Sequence, residues 1–240
     1  MIKALFLSII LFVVSETNVL AQNSAAIDYL NSGAKKINLG KDTAGAIADF
    51  KKSIQLDSAG LSAYLCYSII YCMHKNYDQA LYYLNKGIKA YPNASELYGN
   101  RGNIKALQKN YQEAILDYKK VTELNPLDAL SFLNLGNLEH NSGNYSAALK
   151  DFTRAIELDS RNPIIYVRRS DTKDVLKDYG GAIKDAEQSI ALDPTYAEAY
   201  YTKANAEYHS GLKEAACANW KKSLTMGFYA SKRQISSFCK

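Results

Sequence analysis

Four cysteines and three histidines are the residues of this 240-residue chain best suited to redox, metal or nucleophilic chemistry. Cys66 and Cys72 stand six apart, with His74 close behind. On a helix that spacing carries the two thiols well around the axis from each other, so they do not bond. Two cysteines and one histidine so placed are not a zinc pattern either, and buried free thiols are the reading. His74, His140 and His209 are too far apart to share a site. Asp171 and Asp174 stand three apart, as a carboxylate pair on one helix face would. Nothing near them completes an acid–base site, and they read as a solvated face or as one patch of a binding groove. No glycine-rich phosphate loop, metalloprotease helix motif or serine elbow occurs. The sequence therefore argues for no enzyme, no cofactor and no metal. Cys217 and Cys239 remain, in the closing stretch GLKEAACANWKKSLTMGFYASKRQISSFCK beside the sole tryptophan.

The elements that hold these residues follow from a period. Alanines at 46, 80, 114, 148, 182 and 216 are 34 apart without a gap. Four residues after them come Phe50, Leu84, Tyr118, Phe152, Ala186 and Trp220; sixteen before them come Leu30, Tyr64, Tyr98, Phe132, Tyr166 and Tyr200. Within a repeat, apolar and small residues recur at intervals of three and four, which lays a stripe along each of two helices. A polar phrase such as HNSGNY separates the two, and Pro92, Pro126, Pro163 and Pro194 punctuate the repeats where a helix cannot continue. Each repeat is thus a pair of antiparallel helices, and one pair alone cannot bury its apolar face. The alanines, with Gly102 and Gly136 opposite, let the paired helices approach. Ala186 in place of the aromatic predicts a looser joint in the fifth repeat.

Composition agrees. The chain is 48% hydrophobic and 22% charged, which excludes disorder throughout. Its net charge of +5 is spread among acidic residues rather than gathered in the basic stripe that nucleic acid requires. The start, MIKALFLSIILFVVSETNVLAQNS, has the lysine, the short apolar run and the small residues of a cleaved secretory signal. The expected division is a signal peptide over 1–21, a lead-in over 22–26, six repeats over 27–230 (27–60, 61–94, 95–128, 129–162, 163–196, 197–230) and a capping helix over 228–240. Nothing after the signal is apolar enough to cross a bilayer. The expected location is the periplasm or the cell exterior, without stable membrane insertion.

The pattern of Phe132, Leu135-Gly136, Tyr145, Ala148, Phe152 and Ala155 resembles the tetratricopeptide repeat (TPR) family, over nearly the whole chain beyond the signal. That resemblance implies an all-α fold, a right-handed α-α superhelix or TPR solenoid with a C-terminal capping helix. It implies a non-catalytic scaffold that binds a peptide or protein segment on a concave face lined by the first helices. The matching positions are Leu65, Ile69, Met73, Asn103, Leu107, Leu133, Asn137, Asp171, Tyr201 and Asn205. The lysine–asparagine–arginine clamp with which some members grip a terminal carboxylate is missing: its places hold Asn31, Lys35, Ile69, Gly99 and Asn103. The alternative is a self-assembling structural or envelope accessory protein, a homo-oligomer. Cys217 and Cys239 read as either a disulfide or two buried thiols; a bond closing a loop of this length would stabilise by about 3 kcal/mol. The tail also resembles exported repeat proteins of Bacteroidetes-type bacteria, with an alanine–cysteine pair in the last repeat and a cysteine ending the cap, and that resemblance favours the bond.

Overall fold

The first helices of successive repeats start at Leu61, Ser95, Ala129, Pro163 and Ala197, and the second helices at Thr43, Tyr77, Tyr111, Tyr145, Tyr179 and Lys213, all in steps of 34. The structure is a computed structural model that describes residues 24–39 and 42–239. Its described residues form the helices α1 (Ser24–Asn38), α2 (Thr43–Leu56), α3 (Leu61–Met73), α4 (Tyr77–Ala90), α5 (Ser95–Leu107), α6 (Tyr111–Leu124), α7 (Ala129–Asn141), α8 (Tyr145–Leu158), α9 (Pro163–Val175), α10 (Tyr179–Leu192), α11 (Ala197–His209), α12 (Lys213–Thr225) and α13 (Ser231–Phe238). The fold is all-α: consecutive helix pairs of the solenoid kind, with a terminal helix. Two compact bodies divide it, one up to Pro126 and one from Leu127. The expected signal peptide, residues 1–21, lies outside the described residues. Helix α1 begins at Ser24, inside the expected lead-in.

Local chemistry sets the helix ends. The side chains of Asp42, Asn76, Asp128, Asn162 and Asp178 each accept a backbone N–H of the helix that follows, satisfying donors that have no partner within the helix. In the turn between paired helices, Lys75, Lys109, Gly143, Lys177 and Gly211, again 34 apart, all take positive φ. The turn needs this left-handed residue to reverse the chain, and glycine adopts it at least cost.

Packing within a pair follows size. A Cβ added to Gly136 would lie 2.6 Å from the Phe152 ring, and one added to Gly102 would lie 2.9 Å from the Tyr118 ring. Glycine on the first helix is the space the aromatic of the second helix occupies. Where the glycine becomes Ser170, the aromatic has become Ala186, and the Ser170 hydroxyl donates to the Ala182 carbonyl at 2.7 Å. Ala186 is fully buried, and α10 packs against α11 more extensively than any other second helix against its successor. No loosening of α10 against α11 accompanies the small side chain.

In the N-terminal body, Leu30, Phe50, Leu65, Cys66, Ile69, Cys72, Leu84, Leu97 and Ile104 form one core. In the C-terminal body, Leu133, Phe152 and Ile165 form one cluster, and Ala204, Ala216 and Trp220 form another. Within each body, neighbouring first helices pack on one another more closely than neighbouring second helices do, so the first helices form the inner layer. Two of the pairs carry an ion triad. Asp117 of α6 takes Arg101 and Lys105 of α5, at 2.5 and 2.9 Å. The same three positions two repeats later hold Arg169, Lys173 and Asp185, at 2.8 and 2.7 Å. In the second repeat they hold Tyr67, Tyr71 and Tyr83, whose rings stack instead, at 4.3 and 5.5 Å.

Helix α13 starts at Ser231, 34 residues after α11, and is the first half of a seventh repeat. Ile235 and Cys239 pack on the Trp220 cluster. Lys232, Arg233, Ser236 and Ser237 are exposed, a polar outer face that closes the end of the stack. A disulfide joins Cys217 of α12 to Cys239, with Cα atoms 5.6 Å apart. Cys66 and Cys72 are free and buried, and burial pushes their thiols up to about 12 and about 11, which leaves them protonated and inert at neutral pH.

Candidate binding face on the first helices

The ten positions expected to line a groove fall into three groups. Leu65, Ile69 and Leu133 are buried, at 1%, 6% and 6% exposure, and belong to the cores. Met73 and Leu107 are half-buried against the N-terminal core. These apolar side chains pack into the cores with residues of both first and second helices, because burial removes their apolar surface from water. Asn103 is buried as well and accepts the Tyr118 hydroxyl at 2.6 Å.

Tyr201 and Asn205 form the second group, held by the chain's own terminus. The Tyr201 ring lies 5.0 Å from that of Phe228, and its hydroxyl accepts Gln234 Nε2 at 2.9 Å. Asn205 accepts Trp220 Nε1 at 3.0 Å. Phe238 packs 4.5 Å from the Tyr208 ring. The terminal half-repeat thus covers these side chains as a following first helix would.

Asn137 and Asp171 remain, both half-exposed. Around Asp171 the inner layer of the C-terminal body carries a polar cluster. Arg168 of α9 reaches Glu198 of α11 with two bonds, at 3.0 and 3.4 Å, and lies 3.7 Å from Asp171. Tyr196 donates its hydroxyl to the same Glu198 at 2.6 Å. Asp174 pairs through both oxygens with His209 Nδ1 at 2.9 Å. His140 Nδ1 lies 2.9 Å from the Thr172 hydroxyl, which itself lies 2.9 Å from the Arg168 carbonyl. The carbonyl has no proton to give, so the Thr172 proton goes there and His140 Nδ1 must be the donor. That fixes the tautomer and leaves the His140 Nε2 lone pair free of its proton.

The electrostatics follow from burial. Burial pushes the Asp171 carboxyl up to about 6; Arg168 and a bond from Thr202 pull against it, and Glu198 and Asp174 add to it. Burial, with Arg168 nearby, lowers His140 below its ordinary value, which keeps the ring neutral at pH 7. Burial opposes the charge of Arg168, but Glu198, Tyr196 and Asp171 outweigh it and hold the guanidinium above its usual value. Sequence reading found Asp171 but missed Arg168 and Glu198. They stand 30 residues apart on successive first helices, and only the 34-residue register places them side by side.

Among the described residues, no group of three histidine, cysteine or carboxylate side chains is placed to hold a metal ion, and no helix is long and apolar enough to cross a membrane. The cluster has hydrogen-bond acceptors and one arginine already engaged by Glu198.

A family model for the tetratricopeptide repeat matches residues 95–127 and 129–162. No curated protein matches the sequence. Among solved structures, a crystal structure of MamA is 24% identical, covers 69% of this chain and 96% of its own, and superposes with a TM-score of 0.62. YrrB, described as a TPR protein with an unusual peptide-binding site, is 18% identical over 74% of this chain and 92% of its own, with a TM-score of 0.61. The pilF protein of Pseudomonas aeruginosa is 15% identical over 88% of this chain and 98% of its own, with a TM-score of 0.71. At these identities the likeness is one of fold. Residues 95–127 and 129–162 thus match the tetratricopeptide repeat, and the chain shares the helix-pair fold of these solved structures.

Proposed function

We propose that the protein is a non-catalytic scaffold that binds a peptide or protein segment along the concave, first-helix face. The observation that carries this reading is the polar row of the C-terminal body. Asn137, His140, Asp171, Asp174 and Glu198 are neither buried in a core nor fully exposed, and they share the inner layer of successive first helices. Such a row, backed by a rigid stack, presents hydrogen-bonding groups in fixed positions along an extended segment. The peptide-binding site described for YrrB, a protein of the same fold, agrees with this use of the solenoid. The self-assembling alternative finds less support at the C-terminal end, where the exposed side of α13 is polar apart from Phe238.

The same proposal includes export to the periplasm or the cell exterior. Its support is the signal-like N-terminal pattern, the resemblance of the tail to exported Bacteroidetes-type repeat proteins, and the Cys217–Cys239 bond, which persists where the surroundings are oxidising.

The test is a pull-down from the native envelope fraction. Asn137→Trp, which fills the face, should abolish capture of a partner that the parent chain retains. Lys184→Trp, on the exposed side of α10, should not. Equal capture by both variants, with unchanged melting temperatures, removes the face from the account.

A further inference from the structure

We propose that the segment bound on this face carries a cationic side chain, an arginine or a lysine, and that repeats five and six receive it against Asp171, Asp174 and Glu198. The inference rests on the binding face proposed above and names the chemistry of its occupant.

Charge is the first argument. Three carboxylates share one arginine within the cluster, Arg168, so acids outnumber permanent cations there. The whole chain carries +5. An acidic patch on a basic protein attracts a basic segment to that patch while the rest of the surface repels it. The charged and titratable groups nearest Asp171 are already engaged. Arg168 is committed to Glu198 through two bonds, His209 to Asp174, and Tyr196 to Glu198.

Asp171 is the group left short of a cation. Arg168 stands 3.7 Å from it but 3.0 Å from Glu198, and among the described residues the Thr202 hydroxyl donates to its carboxyl. Its side chain keeps 34% of its exposure, so a partner can reach it. A carboxylate partly withdrawn from water and short of a counter-charge gains most from an incoming guanidinium or ammonium.

Hydrogen-bonding capacity is the second argument, independent of charge. The bond from His140 Nδ1 to Thr172 leaves Nε2 as a bare acceptor. The accessible capacity of the face is therefore weighted to acceptors: three carboxylates, one imidazole nitrogen and the Asn137 amide oxygen, against the N–H donors of that same amide. A guanidinium brings five donors and no acceptor, an ammonium three. A terminal carboxylate finds neither the donors nor the charge that it needs. The elevation of Asp171 to about 6 agrees with this arrangement: the attraction is complete at pH 7.5 and fades as the carboxyl takes up its proton near pH 5.

The test uses three fluorescein-labelled nonapeptides of alternating glycine and serine. They differ only in three residues, which are arginine, glutamine or glutamate. Anisotropy is followed with the full chain at pH 7.5 and low salt. The arginine peptide should bind at least about tenfold more tightly than the other two. Asp171→Asn should cost it about tenfold in Kd with no fall in melting temperature, and a change to pH 5 should weaken it similarly. Failure of the arginine peptide to bind, indifference of its Kd to Asp171→Asn, or equal binding of the glutamine peptide overturns the inference. If the glutamine or glutamate peptide binds and Asn137→Trp blocks it, the cationic assignment falls while the binding face stands. If the Asn137→Trp and Lys184→Trp variants capture partner equally, the face itself falls.

Discussion

Replacing Asp171 by asparagine should make the protein more stable, although it removes a charged residue from a polar cluster. Burial raises the Asp171 carboxyl from its ordinary 3.8 to about 6. In full burial that difference would correspond to about 3 kcal/mol of cost to the ionised form. The side chain is 34% exposed, and solvent screening reduces the figure to about 1 kcal/mol. Asparagine keeps the shape and still accepts from Thr202, so the substitution should recover most of this cost. For a chain of this size about 1 kcal/mol raises Tm by about 2–4 °C. The pH dependence follows from linkage. Below about pH 4 the carboxyl is protonated in folded and unfolded chains alike, and the two proteins should melt together. Because the folded chain holds its proton more tightly, the parent loses stability relative to the variant as pH rises from 4 to 6. Above 6 the gap should be complete and constant. Calorimetry of both proteins at pH 3.5, 5, 6 and 7.5 gives the profile. A variant that melts lower than the parent at pH 7.5, or a gap that does not change with pH, refutes the reasoning.

Other parts of the structure make sharper demands on stability than on binding. Cys217→Ser should lower Tm by releasing the terminal half-repeat, with a loss of about 3 kcal/mol expected for a loop of this size; reductant should do the same to the parent and nothing to the variant. Gly136→Ala places a Cβ 2.6 Å from the Phe152 ring and should cost about 1–3 kcal/mol in denaturant unfolding, whereas Gly180→Ala, which meets nothing within 4 Å, should cost nothing measurable. Asp117→Asn leaves Arg101 and Lys105 without the carboxylate they share, whose side chain is 4% exposed, and a destabilisation of about 3 kcal/mol is expected by the same assay.

Much of the architecture is legible in the chain because the 34-residue spacing of Ala46 to Ala216 repeats one packing contact six times. The size rule that opposes Gly136 to Phe152 can be read the same way. The consequences of a departure from that rule cannot. Ala186 removes the ring that elsewhere faces the first helix of the same pair, and how the neighbouring helices take up the space depends on the whole stack. Apolar residues at groove positions are ambiguous for a related reason. Leu65, Ile69 and Leu133 match the places where a ligand would sit, but the neighbouring helices compete for the same side chains, and the cores take them. The tail shows its register only when Ser231 is counted as the start of another first helix. From there Tyr201 and Asn205 become the surface that a seventh repeat would cover, and α13 covers it. The Arg168–Glu198 link is invisible to pattern because it crosses between repeats, where no period-3.6 signal connects the partners.

The most direct measurement places a photoactivatable amino acid at one position at a time, at 137 on the first-helix face and at 184 on the outer face of α10, and irradiates the full chain in its native envelope. A single discrete adduct at 137, absent at 184 and carrying a basic peptide at the point of attachment, is the expected result. Adducts that form equally at both positions, or at 184 alone, contradict a binding surface on the first helices.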